Sequence, residues 1–121
     1  MPPRLKNYTN PPPETYDTKD KSLIRELLHP AFVQGLGISL AEAVVNAGEG
    51  TAPHRHDGFD EVYYCLEGEG MLFINNEPFP FSADMFYLLP KGASHHLAAA
   101  SRLRLLCICC TGYTHEGTTL L

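Results

Sequence analysis

The chain predicts an all-β domain, a sandwich or a barrel, and three observations carry that expectation. Short β-prone runs follow one another from residue 36 to residue 110. The breaks between them hold turn formers: residues 46–50, Gly68-Glu69-Gly70, Asn75-Asn76 and Pro90-Lys91-Gly92. In the last run Leu103, Leu105, Cys107 and Cys109 alternate with Arg102, Arg104 and Leu106, the period of a half-buried strand. At 121 residues the chain fits one domain and leaves no room for a second.

Taken in order, residues 1–21 read as an extended or disordered N-terminal arm. They hold Pro2, Pro3, Pro11, Pro12 and Pro13, each fixing φ and removing a backbone donor. Residues 22–121 read as the barrel domain. Residues 22–28 fit a short strand or a helical turn equally well, and His29-Pro30 ends them. Strands are then expected over 36–45, 61–67, 71–74, 85–89, 95–98 and 102–110.

Composition narrows the function classes. With 44% hydrophobic and 19% charged residues the chain is globular rather than disordered. A net charge of -5 argues against nucleic acid or a membrane surface as partner. The first 22 residues lack the apolar core of a signal peptide, and no apolar run is long enough to span a bilayer. The expectation is a cytoplasmic protein whose Cys65, Cys107, Cys109 and Cys110 are thiols. No second C-x-x-C pair is present to make a zinc finger.

The chemistry concentrates between residues 48 and 95. His54 and His56 stand at i and i+2, so on a strand both imidazoles share one face. Glu61 adds an anionic oxygen at the start of the next run, and His95 follows the Pro90-Lys91-Gly92 turn. Three imidazoles and one carboxylate suit one divalent Mn, Fe, Co, Ni, Cu or Zn ion. His96 adjoins His95 and is expected to face the other way. His29 and His115 fall in loops and take no assigned role.

The run Gly48 to Gly68, with His54-x-His56 and Glu61 inside it, resembles the first motif of the cupin family. Pro90-Lys91-Gly92-x-x-His95 resembles the second. Two positions depart from the pattern. Asp84 stands where the family usually has glycine, with Ala83 before it, and Ala99 stands where asparagine is common. Aspartate tolerates left-handed backbone better than most residues, so that turn is expected to survive. The resemblance implies a jelly-roll β-barrel with a metal near its axis, held by His54, His56, Glu61 and His95.

Alternation from Glu61 puts Tyr63 and Cys65 inward. Tyr63 is the candidate proton-transfer residue, with core packing as the equal alternative. Cys107 and Cys109 read as small buried hydrophobes, or as thiolates near the metal. Arg25 is placed on the surface in preference to the barrel interior. The resemblance implies functions ranging over dioxygenases, decarboxylases, sugar isomerases, cyclases, lyases and binders without turnover. The complete ligand set places a metal-dependent enzyme on a small organic substrate first. A non-catalytic small-molecule binding or sensor module comes second, and a storage-type scaffold last. A homodimer is expected, paired through arm or strand exchange.

Overall fold

Period-two alternation becomes alternating burial along the longest strands. The computed structural model describes residues 16–17, 22–31, 33–110, 113–114 and 116–121. Eleven strands follow in chain order: β1 Tyr16–Asp17, β2 Leu23–Leu28, β3 Ile38–Val45, β4 His54–His56, β5 Glu61–Glu67, β6 Glu69–Ile74, β7 Glu77–Ser82, β8 Phe86–Leu89, β9 His95–Ala99, β10 Leu103–Cys110 and β11 Thr118–Leu120. They form two antiparallel sheets, β1-β2-β3-β10-β5-β8 and β11-β4-β9-β6-β7. The all-β expectation is met, and no helix among the described residues is long and apolar enough to cross a membrane. Apart from Tyr16–Asp17, which pairs with Leu23 and Ile24, the expected N-terminal arm lies outside the described residues. His115 lies outside them too.

The interior changes character along the strands. Inward residues of β3, β10 and β5 line up in rows: Ala43, Leu105 and Cys65, then Ala41, Cys107 and Tyr63, then Ser39, Cys109 and Glu61. Facing them, Leu72 of β6 pairs with Leu97 of β9, and Ile74 with His95. One end is therefore closed by Leu72, Phe81, Leu103 and Leu105, all fully buried. The other end carries Ser39, Glu61, His54, His56 and His95, buried but polar. Apolar burial of this kind is the main favourable term in folding, about 1.5–3 kcal/mol for each large side chain. The polar end contributes little of that and is left for chemistry.

Several local outcomes differ from the sequence reading. Within residues 22–28, Leu23–Leu28 form strand β2 and no helical turn. Residues 69–70 open β6, so that only Gly68 of the expected turn triplet takes a left-handed conformation, φ 92°. β7 was not expected, because Pro78 and Pro80 argue against a strand; it survives as the outer strand of its sheet, bonded among the described residues only to β6. β11 is three residues long and gives no periodic signal. The turn between β6 and β7 is Asn75-Asn76, with φ 50° and 66°, as a two-residue hairpin turn needs.

Asp84 occupies the left-handed position that glycine usually fills, at φ 69°, and its carboxylate accepts the Tyr64 hydroxyl at 3.2 Å. Ala83 does not take that conformation. The backbone term predicts that Asp84→Ala costs about 1 kcal/mol while Asp84→Gly stays within about 0.5 kcal/mol of wild type. Urea denaturation of the three proteins checks that order.

Candidate metal centre

The open end of the barrel brings together all four residues singled out from spacing. His54 and His56 project from β4, Glu61 from the start of β5, and His95 from the start of β9. His54 and His95 are register partners across β4 and β9, which sets their rings 4.2 Å apart between centroids. One ligand atom from each of the four lies within 4.8 Å of every other, and all four residues are buried. The turn at Gly92 clips this assembly together. Gly92 N–H donates to the His56 carbonyl at 2.7 Å, and Lys91 N–H donates to Asp60 Oδ1 at 2.9 Å.

Hydrogen bonds on the outer ring nitrogens decide which nitrogen faces inward. The His54 Nδ1–H donates to the Ala52 carbonyl at 2.8 Å, and that of His95 to the Ala93 carbonyl at 3.2 Å. A carbonyl only accepts, so each neutral ring keeps its proton on Nδ1 and its lone pair on Nε2. His56 Nδ1 lies 2.8 Å from Thr118 Oγ1, its register partner on β11. The Thr118 hydroxyl already donates to the Thr114 carbonyl at 2.9 Å, so here too the ring nitrogen donates. Phe59 stacks on His56 with centroids 4.5 Å apart and fixes its plane.

The inward side is then an assembly of acceptors. His56 Nε2 lies 2.8 Å and His95 Nε2 3.5 Å from Glu61 Oε1. The longer approach is not a hydrogen bond, so the buried His95 Nε2 makes none. A lone pair and a carboxylate oxygen come this close only with a positive species between or beside them, a proton on the ring or a metal ion. Two ligands at right angles on one ion, each about 2.1 Å from it, lie about 3 Å apart, close to both distances. The four residues fit a metal ion and could hold one. Burial alone pushes the Glu61 carboxyl up, but the adjoining His56 and His95 rings outweigh it and hold the group at about 2.

The cluster forms one wall of a cavity that opens to solvent. Tyr63 lines it, 4% exposed, with its ring edge-on to His95 at 5.6 Å and tilted against Phe81 at 6.3 Å. The far wall comes from Ile24 and Glu26 of β2 and Ser39 and Ala41 of β3. Arg25, between Ile24 and Glu26, does not line the cavity, but it is half-buried and its Nε is shielded from solvent. His96 stacks on Phe73 with centroids 4.5 Å apart, on the opposite face from His95 as alternation requires. His29 bonds the Tyr113 carbonyl at 2.7 Å and does not line the cavity.

The sequence reading missed Glu26, Ser39 and Thr118. Thr118 and Glu26 sit on strands with no clear period, and Ser39 becomes visible only once β3 and β10 are in register. Cys109 is buried, as both of its readings require, and is set beside the cluster. Burial, and next the charge of Glu61, push the thiol up, and it donates to Glu61 Oε2 at 3.3 Å.

A family model for the cupin domain matches residues 41–109, more than half of the chain. This chain is a cupin. It is 42% identical over 109 residues to an uncharacterized protein of Methanocaldococcus jannaschii, MJ1618, spanning 88% of this cupin and 86% of that protein. Its fold matches ectoine synthase from P. lautus with a TM-score of 0.74 and 28% identity, covering 97% of this chain and 88% of that one. It also matches a predicted oxalate decarboxylase from Thermotoga maritima, with a TM-score of 0.71 and 22% identity over 86% and 96% of the two chains. The second likeness shows the fold alone. The barrel by itself selects no reaction.

Proposed function

We propose that this cupin holds one divalent transition-metal ion on His54, His56, Glu61 and His95 and acts as a metal-dependent enzyme on a small organic molecule bound in the adjoining cavity. The observation that carries the reading is the set of three imidazoles turned by their Nδ1 hydrogen bonds so that Nε2 lone pairs converge on Glu61. When bound, the ion supplies Lewis-acid polarisation of a substrate oxygen, or redox chemistry if it is iron or copper. Tyr63 is the residue we assign to proton transfer, because its ring reaches the cavity beside His95. No Lys or Arg lines the cavity among the described residues, which favours a neutral or singly anionic substrate over a phosphorylated one. Reaction types open to such a site are those of dioxygenases, isomerases, cyclases, lyases and decarboxylases.

The deciding experiment is elemental analysis of the purified native chain with metal-to-chain stoichiometry. About one ion per chain is expected, by the one-site reading. No metal after reconstitution would falsify the proposal. Stoichiometric metal without turnover in oxygen-consumption, isomerase, lyase and decarboxylase screens would move the protein to the binding or sensor reading. Pairing of two copies belongs to the same proposal. It is supported by exposed Phe86 and Leu88 on β8, at the edge of the larger sheet, and a monomer in sedimentation at micromolar concentration overturns it.

A further inference from the structure

The two oxygens of Glu61 face different partners. Oε1 turns to His56 and His95. Oε2 accepts a hydrogen bond from the Cys109 thiol at 3.3 Å. The ladder fixes this contact, because Cys109 is the register partner of Glu61 on one side and of Ser39 on the other. All three are buried, at 2%, 4% and 2% exposure respectively. Behind the thiol, the Ser39 hydroxyl oxygen accepts the Tyr113 N–H at 2.9 Å, which leaves its own proton for the Cys109 sulfur. One row of side chains across β3, β10 and β5 therefore ends on the carboxylate oxygen that the histidines do not face.

We propose that Cys109, backed by Ser39, is a positioning residue that keeps Oε2 of Glu61 turned away from the histidines and so limits Glu61 to one donor oxygen in the metal centre. The proposal rests on the metal reading above. Its consequence is an open coordination position, since a carboxylate free to use both oxygens fills one more. Open positions are what separate a catalytic site from a closed structural one. The row also explains why a thiol stands among hydroxyl and carboxylate groups at the polar end: a weak donor holds Oε2 without taking the charge from Glu61.

The test uses the full chain loaded with cobalt(II), whose visible absorption weakens as coordination number rises. Cys109→Ala is expected to weaken the band and lower metal affinity about tenfold, as loss of an outer hydrogen bond does elsewhere. Cys109→Ser, which keeps a donor, is expected to restore both. In the metal-free chain, the infrared difference between wild type and Cys109→Ala is expected to show an S–H stretch lowered by the carboxylate, moving up in Glu61→Gln. A lower melting temperature for Cys109→Ala with an unchanged cobalt spectrum makes Cys109 a packing residue and overturns the proposal. Failure of wild type to take up cobalt overturns the metal reading itself. Full uptake with an unshifted S–H stretch overturns only the positioning role.

Discussion

Alanine at both His54 and His56 is expected to abolish stoichiometric metal binding while the barrel stays folded. The substitutions remove two of four candidate ligands and leave Glu61 and His95 on separate strands. Loss of outer partners alone typically costs 10–100-fold in affinity, so loss of two ligands is expected to cost more than about 100-fold. The fold is expected to survive because its apolar closure lies elsewhere, at Leu72, Phe81, Leu103 and Leu105. The measurement is metal per chain after gel filtration, beside circular dichroism and a melting curve. Retained stoichiometric metal with native dichroism sinks the site. Both histidines have buried rings, so some loss of melting temperature is expected even in the metal-free state.

Gly68→Ala is expected to be among the most destabilising single changes the chain can carry, about 4 kcal/mol or more. Gly68 links β5 to β6 at φ 92°, a conformation that L side chains rarely adopt. A Cβ there would lie 2.1 Å from the Arg102 carbonyl oxygen, 2.9 Å from its carbon and 3.1 Å from Leu103 Cα. Every one of these atoms is backbone, so no rotamer change relieves the clash. Gly70 has the same problem, 2.2 Å from the Ala98 carbonyl oxygen. Gly48 is the control: its φ is 79°, but a Cβ there meets nothing within 4 Å. Gly48→Ala is therefore expected to cost only the left-handed penalty, about 1–2 kcal/mol. Domains of this size are stable by about 5–15 kcal/mol, so the two variants should separate clearly in urea. Equal midpoints for the two would show that the close approach of the 68–70 and 98–102 segments is not real.

These two expectations draw on different kinds of legibility. The cluster of candidate ligands was readable because each part of it is local: a pair at i and i+2, a carboxylate five residues on, and a histidine after a Pro-x-Gly turn. The strands β5 and β10 were readable because each has one wet and one dry face, which writes period two into the chain. The close approach at Gly68 was not, because the atoms that forbid a Cβ lie more than thirty residues away. The Cys109 to Glu61 bond was hidden for the same reason, since register between β5 and β10 decides it. β7 was hidden by its prolines, whose cost vanishes only on an outer strand. Glu26 was hidden because β2 mixes exposed, buried and half-buried positions without a clean period.

The prolines of β7 have a consequence for what this barrel can grow into. Pro78 and Pro80 have no N–H to offer, and the Pro80 carbonyl is already capped by the Tyr87 hydroxyl at 2.6 Å. A strand arriving from another molecule finds no template there, a recognised defence against runaway fibre assembly. β8, at the rim of the other sheet, has no proline and shows Phe86 and Leu88 at 65% and 60% exposure. The two rims are therefore built differently: the proline-bearing β7 resists addition of a strand, and β8 keeps its backbone N–H groups and an apolar outer face.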